Sequence, residues 1–278
     1  MISQTVELDL ELNSLIRDDV NMYVTENDVT RLVEIIKNNE EQYGYYQDIK
    51  TKASVMVTCN KVKCIPVGTF SVHGKRYQLE PNNNITESTH FVTEIHPRPD
   101  STSMKGNSRP IFDYIIPEDG SKLINETPIN EPHNSDKSGY TTNTRGSRIR
   151  REILADVDIV ELYLYTDEAI FERFRQLYSD LETALEMTRQ YYTLVCNEMD
   201  LEYQQVKNAN SQGIDIRIYC KGIHVALDST GAPWSSNTED SSGQVNATNA
   251  LKEFSVWQRN FKNSNNLAYD HAMAMSGQ

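Results

Sequence analysis

An almost unbroken apolar run at residues 157–165 constrains the fold of this chain more than any other feature. Few of its residues are polar, which is typical of a strand covered on both faces. Thr166, Asp167 and Glu168 follow directly and supply an N-cap and two early acids, which favour the start of a helix. Apolar residues then recur at spacings of three and four, which predicts one amphipathic helix running to about residue 195.

The chain beyond that helix repeats the same succession of elements. Residues 214–227 alternate apolar and polar, with a change of phase at Gly222, which predicts a strand that is bulged or bent at the glycine. A polar stretch at 228–244 leads to a second predicted helix at about 247–261. Strand, helix, strand, helix predicts a layered βα domain.

Residues 1–81 are predicted to form a small, mainly β domain. Residues 7–12 alternate acidic and apolar positions, and 54–58 is a second strand candidate. Residues 69–79 predict a β-hairpin with Gly74 in its turn. Residues 28–38 have apolar positions at helical spacing and are predicted to form a short helix.

Residues 82–151 separate these two regions and differ from both in composition. They are rich in Pro, Asn, Ser, Thr and Gly, and only short pieces such as 90–95 are predicted to be ordered. The segment ends in a basic cluster that contains Arg148, Arg150 and Arg151. A polar stretch with a basic end, placed before a compact domain, predicts cleavage by a proprotein convertase; a basic cluster that merely solvates a loop is the alternative.

Charge and hydropathy exclude two classes of partner. The net charge is −13 and the isoelectric point is near 4.9, which argues against general nucleic-acid binding. No apolar run approaches the ~20 residues that cross a bilayer. The first thirty residues contain several acidic side chains and no signal peptide, so we expect the natural N-terminus to lie further upstream.

Three Asn-x-Ser/Thr sequons, together with the basic cluster, favour the secretory pathway. The sequons lie at Asn84, Asn125 and Asn246 and are candidate glycosylation sites. We therefore expect a secreted or cell-surface protein.

Four cysteines are too few for a dense disulfide framework. Cys59 and Cys64 could close a small loop, and Cys196 and Cys220 could meet where a helix packs on the next strand. For each pair, two free buried thiols remain the alternative.

Several segments, in order, resemble reprolysin-type zinc metalloproteases of the ADAM and snake-venom kind. Four of them lie in the second half of the chain: Ile-Val-Glu-Leu-Tyr-Leu-Tyr-Thr-Asp at 159–167, Gly-Ile-Asp-Ile-Arg-Ile at 213–218, Phe-Ser-Val-Trp-Gln at 254–258, and Tyr-Asp-His-Ala-Met-Ala-Met-Ser-Gly at 269–277. In the first half, residues 68–81 match the family's propeptide hairpin, which ends in a Tyr-x-x-Glu-Pro pattern.

The resemblance implies an α/β (α+β) fold, namely a metzincin-like catalytic half-domain with a mixed sheet and long helices after a mainly β propeptide domain. The implied divisions are a propeptide at 1–81, a linker with the convertase site at 82–151, and the N-terminal part of a catalytic domain at 152–278. The implied activity is zinc-dependent hydrolysis of peptide bonds in protein or peptide substrates.

The zinc motif of that family is missing from this sequence. The family uses His-Glu-x-x-His-x-x-Gly-x-x-His, in which three His hold zinc and the Glu takes a proton from the bound water. The six His here include no pair at that spacing, so no catalytic residue is assigned. We expect the chain to be inactive alone and to be a fragment of a longer enzyme.

Two further implications concern a second metal and latency. Glu161 and Asp270 match residues that bind a structural calcium in several relatives, although two carboxylates alone make a poor calcium site. A solvent-facing or capping Glu161 is the alternative. His271, in the same segment as Asp270, is expected to be buried in a helix. Relatives also carry a zinc-capping propeptide cysteine. Here either Cys59 or Cys64 would have to serve, or the switch is missing and inhibition works by other contacts.

Two other functions remain open at this stage. One is a non-catalytic secreted binding protein derived from such a protease, and the other is an unrelated intracellular α/β binding module with accidental sequons.

Overall fold

Two β-sheets and several helices form this mixed α/β protein. The structure is a computed structural model that describes residues 6–33, 42–81, 90–95, 157–209, 215–241 and 245–277. Its strands are β1 (Glu11–Leu12), β2 (Asn21–Glu26), β3 (Val29–Val33), β4 (Gln42–Asp48), β5 (Ala53–Cys59), β6 (Cys64–Val72), β7 (Lys75–Pro81), β8 (His90–Ile95), β9 (Asp158–Thr166), β10 (Ile216–Ala226) and β11 (His271–Met275). Its helices are α1 (Glu168–Leu177), α2 (Leu181–Ala209), α3 (Pro233–Ser236) and α4 (Ala247–Ser264).

The first sheet is antiparallel and comes entirely from the N-terminal part of the chain. Its strand order is β1-β4-β5-β6-β7-β8. The predicted hairpin is confirmed as β6 and β7, which are joined by a two-residue turn at His73 and Gly74. Both turn residues have positive φ (53° and 77°), which is the backbone that a tight hairpin turn needs.

The second sheet has the order β11-β9-β10-β2-β3 and is parallel except at the β2–β3 pair. The prediction of a strand covered on both faces is confirmed for β9. Leu162 and Leu164 lie in one apolar core, while Tyr163 and Tyr165 lie in a second core on the opposite face. Alternate side chains of a strand point to opposite faces, so β9 serves both cores.

The prediction of a helix at 28–38 is wrong over the described residues, because Val29–Val33 is strand β3. Asn27 and Asp28 both have positive φ (51° and 62°), and Glu26 pairs with Val29 across them. This two-residue turn directs the chain back along β2 as a hairpin.

The single long helix predicted after β9 is two helices. Helix α1 ends at Leu177, and α2 begins at Leu181. Asp180 causes the restart: its Oδ2 accepts hydrogen bonds from the Thr183 backbone N–H (2.7 Å) and the Thr183 hydroxyl (2.8 Å), which is N-cap geometry. The second helix also runs beyond the predicted end at 195.

Strand β10 is bulged where the sequence predicts it. Its pairing with β9 changes register between Cys220 and Gly222. A Cβ atom on Gly222 would lie 2.4 Å from the Tyr163 ring, so glycine also permits this close approach.

The prediction that His271 is buried in a helix is wrong, because His271 is exposed and lies in strand β11.

Helix α2 packs between the two sheets. One apolar core contains Leu164 of β9, Val195 of α2 and Tyr45 of β4. Strand β2 also pairs in parallel with β10, from Asn21 opposite Gly222 to Thr25 opposite Ala226. The division into parts at 81 and 151 stays a prediction, but sheet pairing and core both join the two parts.

Candidate functional site

The predicted calcium ligands lie close together but use their groups differently. Asp270 immediately precedes β11, and its Oδ2 accepts a hydrogen bond from the Glu161 backbone N–H at 2.9 Å. The Asp270 N–H in turn donates to the Glu161 carbonyl at 3.0 Å. The Glu161 carboxylate instead accepts from Lys221 Nζ at 3.0 Å.

This arrangement does not fit calcium with the described residues alone. The ion requires six to eight oxygen ligands, and one of the two carboxylates here already faces an ammonium group. Across the part of the chain that the structure describes, no group of three or more His, Cys, Asp or Glu side chains could hold a metal ion. The calcium site therefore stays a prediction.

The carboxyl ends of the parallel strands gather around Asp167, which is fully buried. Asp167, within the predicted capping segment at 166–168, is the N-cap of α1, and its Oδ1 accepts from the Ile170 N–H at 3.0 Å. Its Oδ2 accepts from the hydroxyls of Ser235 (2.9 Å) and Ser276 (2.6 Å). The Gly277 N–H also donates to it at 3.1 Å. The Asp167 carboxylate thus links the end of β9 to α1, α3 and the end of β11 through hydrogen bonds.

This end of the sheet is acidic. Burial raises the pKa of Glu168, and the carboxylates of Asp167, Asp228 and Glu239 raise it further. The Thr230 hydroxyl lowers the pKa of Asp228 by donating to it at 2.6 Å. Asp228 also accepts from the Asn27 N–H at 2.7 Å, so it holds the β2–β3 turn against the end of β10.

A buried polar network centres on Asp200 of α2, which has no exposed surface. Its Oδ1 accepts from Arg217 Nε (2.8 Å) and the Ile218 N–H (2.8 Å). Its Oδ2 accepts from four further donors: Arg217 Nη2 (2.8 Å), Asn13 Nδ2 (2.8 Å), Gln204 Nε2 (3.0 Å) and Gln47 Nε2 (3.2 Å).

The network connects the two parts of the chain. Asn13 and Gln47 belong to the N-terminal part, whereas Asp200 and Arg217 belong to the C-terminal part. Asn197, one turn before Asp200, also donates to the Tyr46 carbonyl (3.1 Å) and the Ser54 hydroxyl (2.9 Å). A buried carboxylate is stable only when paired and fully hydrogen-bonded, so these contacts depend on one another.

A cleft of about 290 Å³ opens beside this network. Its walls include Asp9, Asp48, Lys50 and Arg217. Asp48 accepts from the backbone of Asp9 (3.1 Å) and Lys50 (2.9 Å) and from the Thr51 hydroxyl (2.8 Å), so its carboxylate holds the β4–β5 turn.

His224 occupies the second apolar core and touches both parts of the chain. It lies on β10 with no exposed surface, and its Nε2 is 2.8 Å from the Thr25 hydroxyl of β2. The ring lies against Phe261 (centroids 4.6 Å apart) and Trp257 (5.3 Å). Burial lowers the pKa of His224 to about 3, so the imidazole is neutral in the folded protein near neutral pH.

The cysteines fall into the two pairs that the sequence suggests. Cys59 and Cys64 are joined by a disulfide that bridges β5 and β6. Cys196 of α2 and Cys220 of β10 are both buried, with Sγ atoms 2.7 Å apart.

The predicted processing and glycosylation sites fall mostly outside the described residues. Arg148, Arg150, Arg151, Asn84 and Asn125 all do so. The remaining sequon is described: Asn246 is exposed and is the N-cap of α4, where its Oδ1 accepts from the Asn249 N–H at 3.1 Å. This bond uses the side-chain oxygen, whereas an N-glycan attaches to the nitrogen.

The sequence reasoning missed Asp200 and Arg217. The available signal was spacing, because Asp200 follows Tyr192 and Cys196 at intervals of four on the apolar face of α2. A carboxylate on such a face requires a buried partner, and Arg217, at the polar position between Ile216 and Ile218, provides it.

Comparisons with known proteins leave the family open. No family model, curated protein or solved structure matches this chain. None of the described helices combines the length and apolar surface that crossing a membrane requires.

Proposed function

We propose that this chain is the propeptide and the N-terminal part of the catalytic domain of a secreted zinc metalloendopeptidase of the reprolysin type. The proposed substrates are proteins or peptides, and a proprotein convertase is the proposed processing partner. The polypeptide of 278 residues is inactive by itself, since it lacks the zinc motif.

One observation carries the proposal. The segments at 159–167, 213–218 and 269–277 carry much of the resemblance, and they supply β9, β10 and β11. These three strands are adjacent and parallel in the order β11-β9-β10. The segment at 254–258 lies on α4, which packs on the same sheet through Phe254. Fragments scattered by chance would not be expected to fall on contiguous elements of one layer.

The residues present do not fit a catalytic zinc ion. The six His include no pair one helical turn apart with an intervening Glu, and the described residues contain no metal-ligand cluster. No zinc ligand is therefore assigned to this chain, and any zinc helix must belong to a longer form of the protein.

Latency would act through packing in this proposal. A zinc-capping cysteine needs a free thiolate, and Cys59 and Cys64 are bonded to each other. Contacts around Asp200 and the β2–β10 pairing provide a different way for the N-terminal part to hold the C-terminal part.

Secretion is supported by chemistry that is independent of the resemblance. Disulfides such as Cys59–Cys64 persist in oxidising compartments and are rare in the cytosol. The sequon at Asn246 is exposed, as glycan attachment requires.

The deciding experiment is to sequence the native transcript beyond the codon for Gln278. An in-frame zinc motif within the next several dozen codons is expected. The longer product, purified from secreting cells, should then cleave a generic peptide in a chelator-sensitive way. A stop codon directly after Gln278 would rule out catalysis.

A non-catalytic secreted binding protein is the second candidate. The observation that favours it is that Met22 and Val24 of β2, with Tyr45 and Met56 of the antiparallel sheet, complete one apolar core that half a catalytic domain would leave exposed. Secretion and cleavage after Arg151, combined with a stop codon after Gln278, would select this candidate.

A further inference from the structure

We propose that Cys196 and Cys220 form a disulfide bond that ties helix α2 to strand β10. The Sγ atoms lie closer together than two non-bonded sulfur atoms normally do. Their separation of 2.7 Å exceeds a typical disulfide bond of about 2.05 Å by only about 0.7 Å. A thiol–thiol hydrogen bond is the other arrangement that such a contact permits.

The backbone at Cys220 can absorb the remaining movement. The register of β10 against β9 shifts between Cys220 and Gly222, so this is the irregular point of an otherwise regular strand. Its partner lies on α2, which packs directly on β10: Asp200, one turn beyond Cys196, accepts from the Ile218 N–H at 2.8 Å. That bond holds the helix against the strand beside the two sulfur atoms.

The same chain already shows that its cysteines can be oxidised, since Cys59 and Cys64 are bonded. In the second pair, each thiol would lose a proton, and the two electrons would pass to a disulfide oxidant, such as glutathione disulfide, which is reduced to two thiols. The reaction proceeds through a mixed disulfide in which one cysteine thiolate attacks the oxidant and the second cysteine displaces it.

Burial fixes when this bond can form and how it resists reduction. Cys196 has no exposed surface and Cys220 is 2% exposed, so neither sulfur can meet an oxidant in the folded protein. Burial also raises the pKa of Cys196 well above its ordinary value, and the neighbouring Cys220 thiol raises it further. The bond must therefore close while α2 docks onto β10, and afterwards reductants cannot reach it.

Refolding in vitro tests the bond without relying on the proposed secretion. The full chain is reduced, denatured and refolded in a glutathione redox buffer, and free thiols are counted in denaturant without reductant. No free thiols are expected. Peptide mapping should then yield Cys196 and Cys220 in one linked pair, lighter than the reduced peptides by two hydrogens. Two free thiols, or a link from either cysteine to Cys59 or Cys64, would overturn the proposal.

Matched variants separate the two bonds. In C59S/C64S, denaturant should expose no free thiol, because the Cys196–Cys220 bond remains. Reductant should lower the urea midpoint of this variant, because it breaks that bond once the chain unfolds. In C196A/C220A, mapping should find only the Cys59–Cys64 bond. If C196A/C220A does not fold, the thiol count and mapping of the unsubstituted chain still decide. A disulfide in a chain that cells do not secrete would leave this inference intact and remove the proposed function.

Discussion

Asp200 of α2 and Arg217 of β10 form a bidentate ion pair in which Arg217 Nε and Nη2 each lie 2.8 Å from a different Asp200 oxygen. The paired Asp200 carboxylate also accepts from Asn13 and Gln47, which lie more than a hundred and fifty residues earlier. A single buried charge therefore links the two parts of the chain, in addition to their shared sheet pairing and apolar core.

Removing that charge should destabilise the whole protein. In Asp200→Ala, Arg217 loses its partner while its side chain is only 20% exposed, and the amide donors of Asn13 and Gln47 lose an acceptor. Breaking a buried pair in this way costs about 3–5 kcal/mol. Urea denaturation followed by circular dichroism measures the loss. Glu202→Ala is the matched control, because Glu202 is exposed on the same helix; an equal loss in both variants would contradict the assigned role of Asp200.

His224 should make the folded protein sensitive to mild acid. Burial lowers its pKa to about 3, whereas the unfolded chain takes up the proton near pH 6.5. Between these values the unfolded state binds more protons, so stability falls as the pH falls. From about pH 7.5 to about pH 5, the loss should be about 2 kcal/mol.

Paired variants isolate this effect from other titrating groups. The pH dependence of the free energy of unfolding should flatten in His224→Phe and should stay unchanged in His73→Asn, which alters an exposed turn residue. A wild-type slope that survives in His224→Phe would assign the acid sensitivity to another group.

Gly222→Ala should strain the contact between β10 and β9. The new methyl carbon would lie 2.4 Å from Cε2 of Tyr163 and would have to displace a buried ring. Overpacking of this kind costs about 1–3 kcal/mol. A double-mutant cycle with Tyr163→Leu tests the cause, since removing the ring should relieve part of the cost. Strictly additive losses would show that the strain lies in the β10 backbone instead.

Local sequence patterns predict those secondary-structure elements that depend on only a few adjacent residues. The apolar run at 157–165 predicts β9, and Gly74 predicts the β6–β7 turn. The phase change at Gly222 predicts the bulge in β10. Each depends on a preference that a few adjacent residues determine. The Asn27–Asp28 turn is local too, but the neighbouring apolar residues have helical spacing, so the sequence predicts a helix where the structure has β3.

Contacts between residues far apart in the chain could not be predicted from these local patterns. Nothing within residues 21–26 indicates that β2 joins a sheet whose other parallel strands lie after residue 157. The same holds for Asp200, whose spacing required a buried partner without revealing that Asn13 and Gln47 would contribute. The predicted calcium pair was brought together through backbone hydrogen bonds, and sequence could not foresee that Lys221 would take the Glu161 carboxylate.

Processing at the basic cluster should cut the chain without separating its parts. If the proposed convertase cleaves here, Arg148→Ala/Arg151→Ala should abolish the cleaved form in secreting cells, because both substitutions remove basic side chains of the proposed recognition site. Arg145→Ala, which removes an arginine just outside the cluster, should be processed normally. Immunoblotting of the medium with tags at each end measures both outcomes, and normal processing of the double variant would exclude this site.

After cleavage, the two pieces should elute together in native size-exclusion chromatography. The C-terminal piece would otherwise lose β2 and β3 from its sheet, as well as the Tyr45 side chain from its core. It would also leave Asp200 with fewer donors, at a cost of about 1–3 kcal/mol for each buried group left unpaired. Urea should separate the pieces, and cleaved Asp200→Ala should separate at a lower urea concentration than the cleaved wild type. Separate elution of the wild-type pieces in buffer alone would mean that the C-terminal piece holds its fold without the N-terminal strands.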